Sequence, residues 1–292
     1  MKLKYAVLDK LLSLTNKEID FLMFIARYQD DYGHIIGIFY LDVCTAMGMS
    51  KQTFYNTLRS LADKGIITYS HSDQTHDFDI TILNNDFSYP ESFKEGYVDV
   101  ARKIFHTSQF MQLKAKEKIL LLLFLKITHE NSSSYQIGTK KFYDKYMDLM
   151  GVTKRVLRGY LHSLKQFFSI GIKNGKYFIT FLASVFKPRL EQREQREQHH
   201  GHVVEVSCRR SKMKVADQDT EQINATAKLI VQYRNEAKET GENIFDLLDQ
   251  SIQKSVRGIK DGYLRVKSVH YHLRKALGIE KRPTLDGDSS VF

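Results

Sequence analysis

One stretch of this chain occurs twice. Phe39, Tyr40, Met47, Gly48, Lys51, Leu58, Ser60 and Leu61 return 103 positions later as Phe142, Tyr143, Met150, Gly151, Lys154, Leu161, Ser163 and Leu164. Ser50 becomes Thr153, and Phe54 becomes Leu157. Weaker matches flank this gapless block: Leu14 and Glu18 pair with Leu113 and Glu117, and Ile80-Thr81-Ile82-Leu83 with Ile179-Thr180-Phe181-Leu182. Two copies at one period argue for a duplicated module rather than a solenoid, which needs three or more repeats to bury its faces. Any fold proposed for one copy must therefore also suit the other.

Proline lacks an amide hydrogen and restrains the residue before it, so it sits naturally between elements. The three prolines, Pro90, Pro188 and Pro283, each follow a patterned segment. They suggest five regions: the two copies at 1–90 and 91–188, a polar linker at 189–218, a helical region at 219–282 and a flexible tail at 283–292.

In copy one, Ile19, Leu22, Met23, Ile25 and Ala26 have helical spacing, with Thr15 or Asn16 as cap. A short helix over about 41–47 ends at Gly48, whose missing Cβ permits a sharp turn. Ser50 caps a third helix with Phe54, Leu58 and Leu61 facing inward, and Lys64-Gly65 closes it. Ile66 to Tyr69 and Phe78 to Ile82 read as strands around a polar loop, Ser70 to Asp77. Copy two follows the same order, with helices over about 113–129, 140–150 and 153–167. Its hairpin runs from Ile170 to Phe181, and the turn residues Asn174-Gly175 suit a tight type I′ turn. Here Phe167-Phe168-Ser169 replaces the Lys-Gly closure.

Helix, helix, turn, helix, hairpin is the order of a winged helix-turn-helix, and each copy resembles that family. The resemblance is carried by Gly48-Met49-Ser50-Lys51-Gln52-Thr53 followed by Leu58, Leu61 and Lys64-Gly65-Ile66-Ile67, an arrangement similar to bacterial winged-helix regulators. It implies a mainly α fold with small β-hairpin wings (α+β): two tandem winged-helix domains plus a C-terminal helical region. It also implies double-stranded DNA as partner, with the third helix presenting its N-terminal residues to base edges in the major groove. The contact residues expected in copy one are Ser50, Lys51, Gln52, Thr53, Tyr55, Asn56 and Arg59. Gln and Asn side chains can pair with adenine, and Lys or Arg with guanine. Copy two offers Thr153, Lys154, Arg155, Arg158 and His162 from its third helix, Lys140, Lys141 and Lys145 from its second, and Lys173, Asn174 and Lys176 from its wing.

Charge separates the copies. Residues 1–90 hold 8 Lys/Arg against 11 Asp/Glu, a net −3, while residues 91–188 hold 17 against 7, a net +10. Copy two should supply most of the salt-sensitive grip on phosphates. Copy one then supplies base readout, or has been diverted to protein contact.

The linker repeats Glu-Gln-Arg from Arg189 to Gln198, a composition that suits an exposed helix or a disordered chain alike. His199, His200, His202 and Cys208 lack the tight pairing of a structural zinc site, so no metal or other cofactor is expected. Beyond Asp219, Ile223, Ala227, Ile230 and Val231 mark one helix. Ile244, Leu248, Ile252, Val256 and Ile259 mark a second, and Leu264, Val266, Val269, Leu273, Ala276 and Leu277 a third. Such a small unit buries little surface alone, so it is expected to dock or to form a homodimer.

Two cysteines, no N-terminal apolar stretch and no apolar run longer than Ile119 to Leu125 suggest a reducing, cytoplasmic and nucleoid-associated setting without membrane contact. No phosphate loop or dinucleotide fingerprint is present, and no enzyme is expected. The leading expectation is a sequence-specific transcription regulator. Replication initiators and replisome organisers of plasmids or phages share a similar layout and form the first alternative. A winged-helix adaptor that binds protein is the second.

Overall fold

The computed structural model describes residues 1–72, 76–101, 104–105, 107–131, 134–186, 191–215, 218–256 and 262–279, excepting the side chains of 191–198. The protein is mainly helical with small antiparallel sheets. It divides into two compact units, Met1–Arg196 and Glu197–Phe292.

The first unit opens with β1 (Lys2–Lys4), α1 (Tyr5–Leu8) and a 3-10 turn over Asp9–Ser13. Copy one continues with α2 (Asn16–Ile25), β2 (His34–Phe39), α3 (Tyr40–Met47), α4 (Lys51–Asp63), β3 (Ile67–His71) and β4 (Asp77–Ile82). A bridging strand, β5 (Tyr97–Asp99), leads to copy two. That copy contains α5 (Ser108–Met111), α6 (Ala115–Glu130), β6 (Ser134–Gly138), α7 (Thr139–Met150), α8 (Lys154–Leu164), β7 (Phe168–Lys173) and β8 (Lys176–Phe181), and is followed by α9 (Ala183–Phe186).

Both copies form a three-stranded antiparallel sheet in the same order, β2-β4-β3 and β6-β8-β7. The hairpin expected from sequence is present in each. The third strand goes beyond that expectation, because β2 runs through Gly37, where a bulge breaks the alternation that marks strands. Gly37 takes a positive φ of 67° and donates its N–H to Asp79 Oδ1 at 2.9 Å.

Local chemistry accounts for the helix boundaries. The Thr15 hydroxyl accepts from the Glu18 N–H, and the Glu18 carboxylate accepts from the Thr15 N–H, a reciprocal capping box. Lysine carries no acceptor at the matching position of copy two, so only half of that box survives: Glu117 accepts from the Lys114 N–H at 2.8 Å. Gly48 and Gly151 end α3 and α7 in the left-handed region, at φ 58° and 57°. Ser50 and Thr153 then cap α4 and α8. Asn174 and Gly175 both take positive φ, as a type I′ turn requires.

The two copies share one apolar core. In copy one Phe54 packs on Phe21 and Phe78, with ring centroids 5.6 and 5.7 Å apart. In copy two Phe124 meets Tyr146 and Phe168 at 5.6 and 5.7 Å. Helix α6 joins them: it packs on α1, α2 and β5 and also on α8, β6 and β8. Ile119–Leu122, Phe124 and Leu125 are buried, and Leu123 between them is half-buried. Each fully buried aliphatic side chain of this kind contributes roughly 1.5–3 kcal/mol. Strands β1 and β5 pair antiparallel, Leu3 opposite Val98, and tie the chain's start to the connector between copies.

Helix α10 (Glu191–Arg210), which belongs to the second unit from Glu197 onward, occupies much of the region expected to be a polar linker. Val203, Val204, Val206 and Cys208 are buried, and burial pushes the Cys208 thiol up to about 12. The Glu-Gln-Arg composition conceals this because the apolar residues lie only in the second half of the helix. Helices α11 (Thr220–Glu239), α12 (Ile244–Val256) and α13 (Val266–Ala276) pack on one another. Gln218 holds their connections: its amide donates to Lys214 O and Gly262 O and accepts from Leu264 N–H. Ile223, Ile230, Ile244, Leu248, Ile252, Val269 and Leu273 are buried as spaced. Val231 instead faces solvent at 68% exposure, since it lies about 100° around the helix from Ile230. Ile259 and the tail at 283–292 lie outside the described residues. No helix among the described residues is long and apolar enough to cross a membrane.

Candidate nucleic-acid interface

The third helix of each copy is amphipathic in the same sense. Phe54, Leu58 and Leu61 bury one side of α4, and Leu157, Leu161 and Leu164 one side of α8. Neither helix has an acidic residue in its first turn, and each begins with a lysine, Lys51 and Lys154. Lys154, Arg155, Arg158 and His162 are exposed. Their spacing places them within about 100° of one another around α8.

The β7–β8 hairpin and the start of α7 extend this basic surface. The Thr139 N–H donates to Gly175 O at 2.9 Å, and Gly138 pairs with Lys176, which also pairs with Lys173. Lys140 and Lys141 therefore stand beside the hairpin tip that carries Lys173, Asn174 and Lys176, and all five are exposed. A tyrosine pair links this group to α8. Tyr143 and Tyr177 share a hydroxyl hydrogen bond of 2.7 Å, and Lys154 Nζ sits 4.7 Å from the centre of the Tyr143 ring. Burial, with the bond to Tyr143, raises the Tyr177 phenol to about 12, and the charge of Arg158 acts against that rise. Lys154 and Arg158 thus flank the Tyr143–Tyr177 pair, and Lys140, Lys141, Lys173 and Lys176 are exposed at the adjoining start of α7 and hairpin tip.

Lys145 does not join them. It lies on the opposite flank of α7, where it borders a groove of about 320 Å³ with Leu12, Leu123, Lys126, Tyr146 and Leu149. Lys145 follows Tyr143 by two residues, about 200° around the helix, and shares its face with Lys141, four residues before it, whereas Lys140 lies about 60° from Tyr143.

The surface of copy one differs. Lys51, Gln52, Asn56 and Arg59 are exposed, and Tyr55 is half-buried. Gln52 Nε2 donates to Asn56 Oδ1 at 2.8 Å, giving a joined pair of amides. Ser50 and Thr53 are engaged locally: Ser50 Oγ accepts from the Thr53 N–H at 3.2 Å, and the two hydroxyls lie 2.9 Å apart. Tyr55 packs on Phe78 and Tyr40, with centroids 5.9 and 6.4 Å apart. By the repeat offset it occupies the place of Arg158, so the third cation of α8 is an aromatic ring in α4. The matching loop includes residues 73–75, outside the described set.

Tyr40, Tyr143 and Tyr177 are not among the contact residues expected from sequence. Two of them are within its reach, because Phe39-Tyr40 and Phe142-Tyr143 are part of the gapless repeat. Their hydroxyls and ring faces gain meaning only once α3 lies against α4, and α7 against α8.

Among the described residues no group of three or more His, Cys, Asp or Glu side chains is disposed to hold a metal ion. No family model, no curated protein and no solved structure matches the chain.

Proposed function

We propose that each copy is a winged helix-turn-helix module and that the protein binds double-stranded DNA as a transcription regulator. The observation that carries this reading is the exposed basic surface formed by Lys154, Arg155 and Arg158 on α8, Lys140 and Lys141 at the start of α7, and Lys173 and Lys176 at the adjoining hairpin tip. Cations drawn from two helices and a hairpin, with no carboxylate in the first turn of α7 or α8, suit a row of phosphates. Copy two supplies the backbone grip. Copy one adds selectivity through Lys51, the Gln52–Asn56 pair and Arg59, groups able to bond base edges.

Binding to a labelled duplex, followed by anisotropy across a salt series, tests the reading. The joint Lys154→Ala and Arg158→Ala variant is expected to bind more weakly, with its log–log salt slope shallower by about 2, one for each phosphate no longer neutralised. Unchanged binding removes copy two from the interface. Genome-wide mapping of bound sites tests the regulatory role: enrichment at promoters supports it, and enrichment confined to direct repeats at an origin replaces it with replication initiation.

A further inference from the structure

Both third helices begin with a residue that helix electrostatics disfavours. Lys51 and Lys154 occupy the first helical position, where the backbone N–H groups and macrodipole already carry partial positive charge. An acidic residue is the usual occupant, and neither first turn contains one. The same exception at both copies has the same compensation. Lys51 Nζ lies 4.8 Å from the centre of the Tyr40 ring, and Lys154 Nζ lies 4.7 Å from the centre of Tyr143. Tyr40 and Tyr143 are themselves repeat equivalents. Each ring comes from the preceding helix, α3 or α7, and each lysine remains exposed on its other side.

The copies diverge nearly everywhere else on these faces. Gln52 stands opposite Arg155, Asn56 opposite Gly159, Tyr55 opposite Arg158, and Phe78 opposite Tyr177. The tyrosine–lysine contact survives this divergence, so it does not depend on the total charge of either face.

We infer that Tyr40 and Tyr143 are positioning residues, which hold the first-turn lysine of the following helix over a ring face and so present a fixed ammonium to a phosphate of the DNA backbone. The inference rests on the DNA-binding reading above. A lysine side chain has high rotamer freedom, and fixing it before binding removes part of the entropic cost of ordering it at the interface. The ring attracts the ammonium through its quadrupole while leaving the far side of the cation open to an anion.

The experiment compares Tyr143→Phe, Tyr143→Leu and Lys154→Ala in the full chain. Tyr143→Phe keeps the ring face and removes only the hydroxyl bond to Tyr177, so its DNA affinity should stay within about twofold of the parent. Tyr143→Leu removes the ring, and its affinity should fall about two- to fivefold at an unchanged salt slope, since the lysine charge is still present. Lys154→Ala should flatten the slope by about 1. Combined with Lys154→Ala, the Tyr143→Leu change should cost little more, because the ring acts through the lysine. Equal losses in Tyr143→Phe and Tyr143→Leu, or additive losses with Lys154→Ala, overturn the inference and leave Tyr143 a packing residue. NMR of the free protein gives a readout independent of DNA. The Lys154 Hε protons should show an upfield ring-current shift that persists in Tyr143→Phe and vanishes in Tyr143→Leu. Absence of that shift in the parent chain overturns the contact itself. Its presence in a chain that fails to bind duplex at low salt overturns the DNA reading instead.

Discussion

Lys118 of α6 reaches across the seam between the two copies to Asp20 of α2, with Nζ 2.6 Å from Oδ1 and both side chains closed off from solvent. Burial pushes the Asp20 carboxyl above its ordinary range, and the Lys118 ammonium opposes that rise. The pair bridges the two copies, and losing either member leaves the other charge buried without its counter-ion. Removing Lys118 alone, as Lys118→Met, should lower stability by about 3–5 kcal/mol, while the joint change with Asp20→Leu should recover most of that loss. Urea unfolding of the single and double variants measures it, and equal losses in the two would show that the pair carries no specific coupling.

Glu18 makes stability depend on acid. Burial favours its neutral form, but hydrogen bonds from Lys64, Ser60 and Thr15 overcome that effect and hold the carboxyl at about 2, against an ordinary 4.5. A folded-state value below the unfolded one means the contribution is complete above pH 4.5. It is lost as the pH falls from 4.5 towards 2. Thermal melts across that window should show a steeper decline for the parent chain than for Glu18→Gln.

Gly48 and Gly151 end equivalent helices in the left-handed region, with φ 58° and 57°. An added Cβ would meet nothing within 4 Å at Gly48, so the cost of Gly48→Ala is one of backbone conformation. It should destabilise by roughly 1–2 kcal/mol. A change near zero in chemical denaturation would mean that the turn relaxes.

Lys145 provides an internal control for the DNA interface. It matches its neighbours in charge but lies on the groove side of α7. Lys145→Ala should leave duplex affinity and salt slope unchanged, whereas Lys140→Ala, on the Tyr143 side of α7, should flatten the slope by about 1. Comparable effects of the two would place the contact surface elsewhere.

Gln52 and Asn56 should affect selectivity more than grip. Replacing both with alanine should reduce discrimination between cognate and mismatched sites by about 1–3 kcal/mol, with the salt slope retained. Competition binding with single-base variants of the selected site reads this directly.

Local signals make most of the elements legible. The helix starts at Thr15, Ser50 and Thr153, the turns at Gly48, Gly151 and Asn174-Gly175, and the inward stripe Phe54, Leu58 and Leu61 all depend on residues within a few positions of one another. Strand β2 escapes such signals because Gly37 interrupts its alternation. The helical character of 199–210 is hidden by a polar neighbour sequence.

The sequence by itself determined that the chain holds two equivalent modules, that the second carries the positive charge, and which residues begin each third helix. Those properties follow from identity, count and short-range spacing. Only the tertiary structure decided that the copies share one core through α6, that Lys145 borders a groove with Leu12 and Lys126, and that Tyr40 and Tyr143 lie beneath Lys51 and Lys154. The physical reason is that a residue's surroundings depend on how elements pack. A helix face is set by period, but its partner across a seam is set by contacts between residues far apart in the chain.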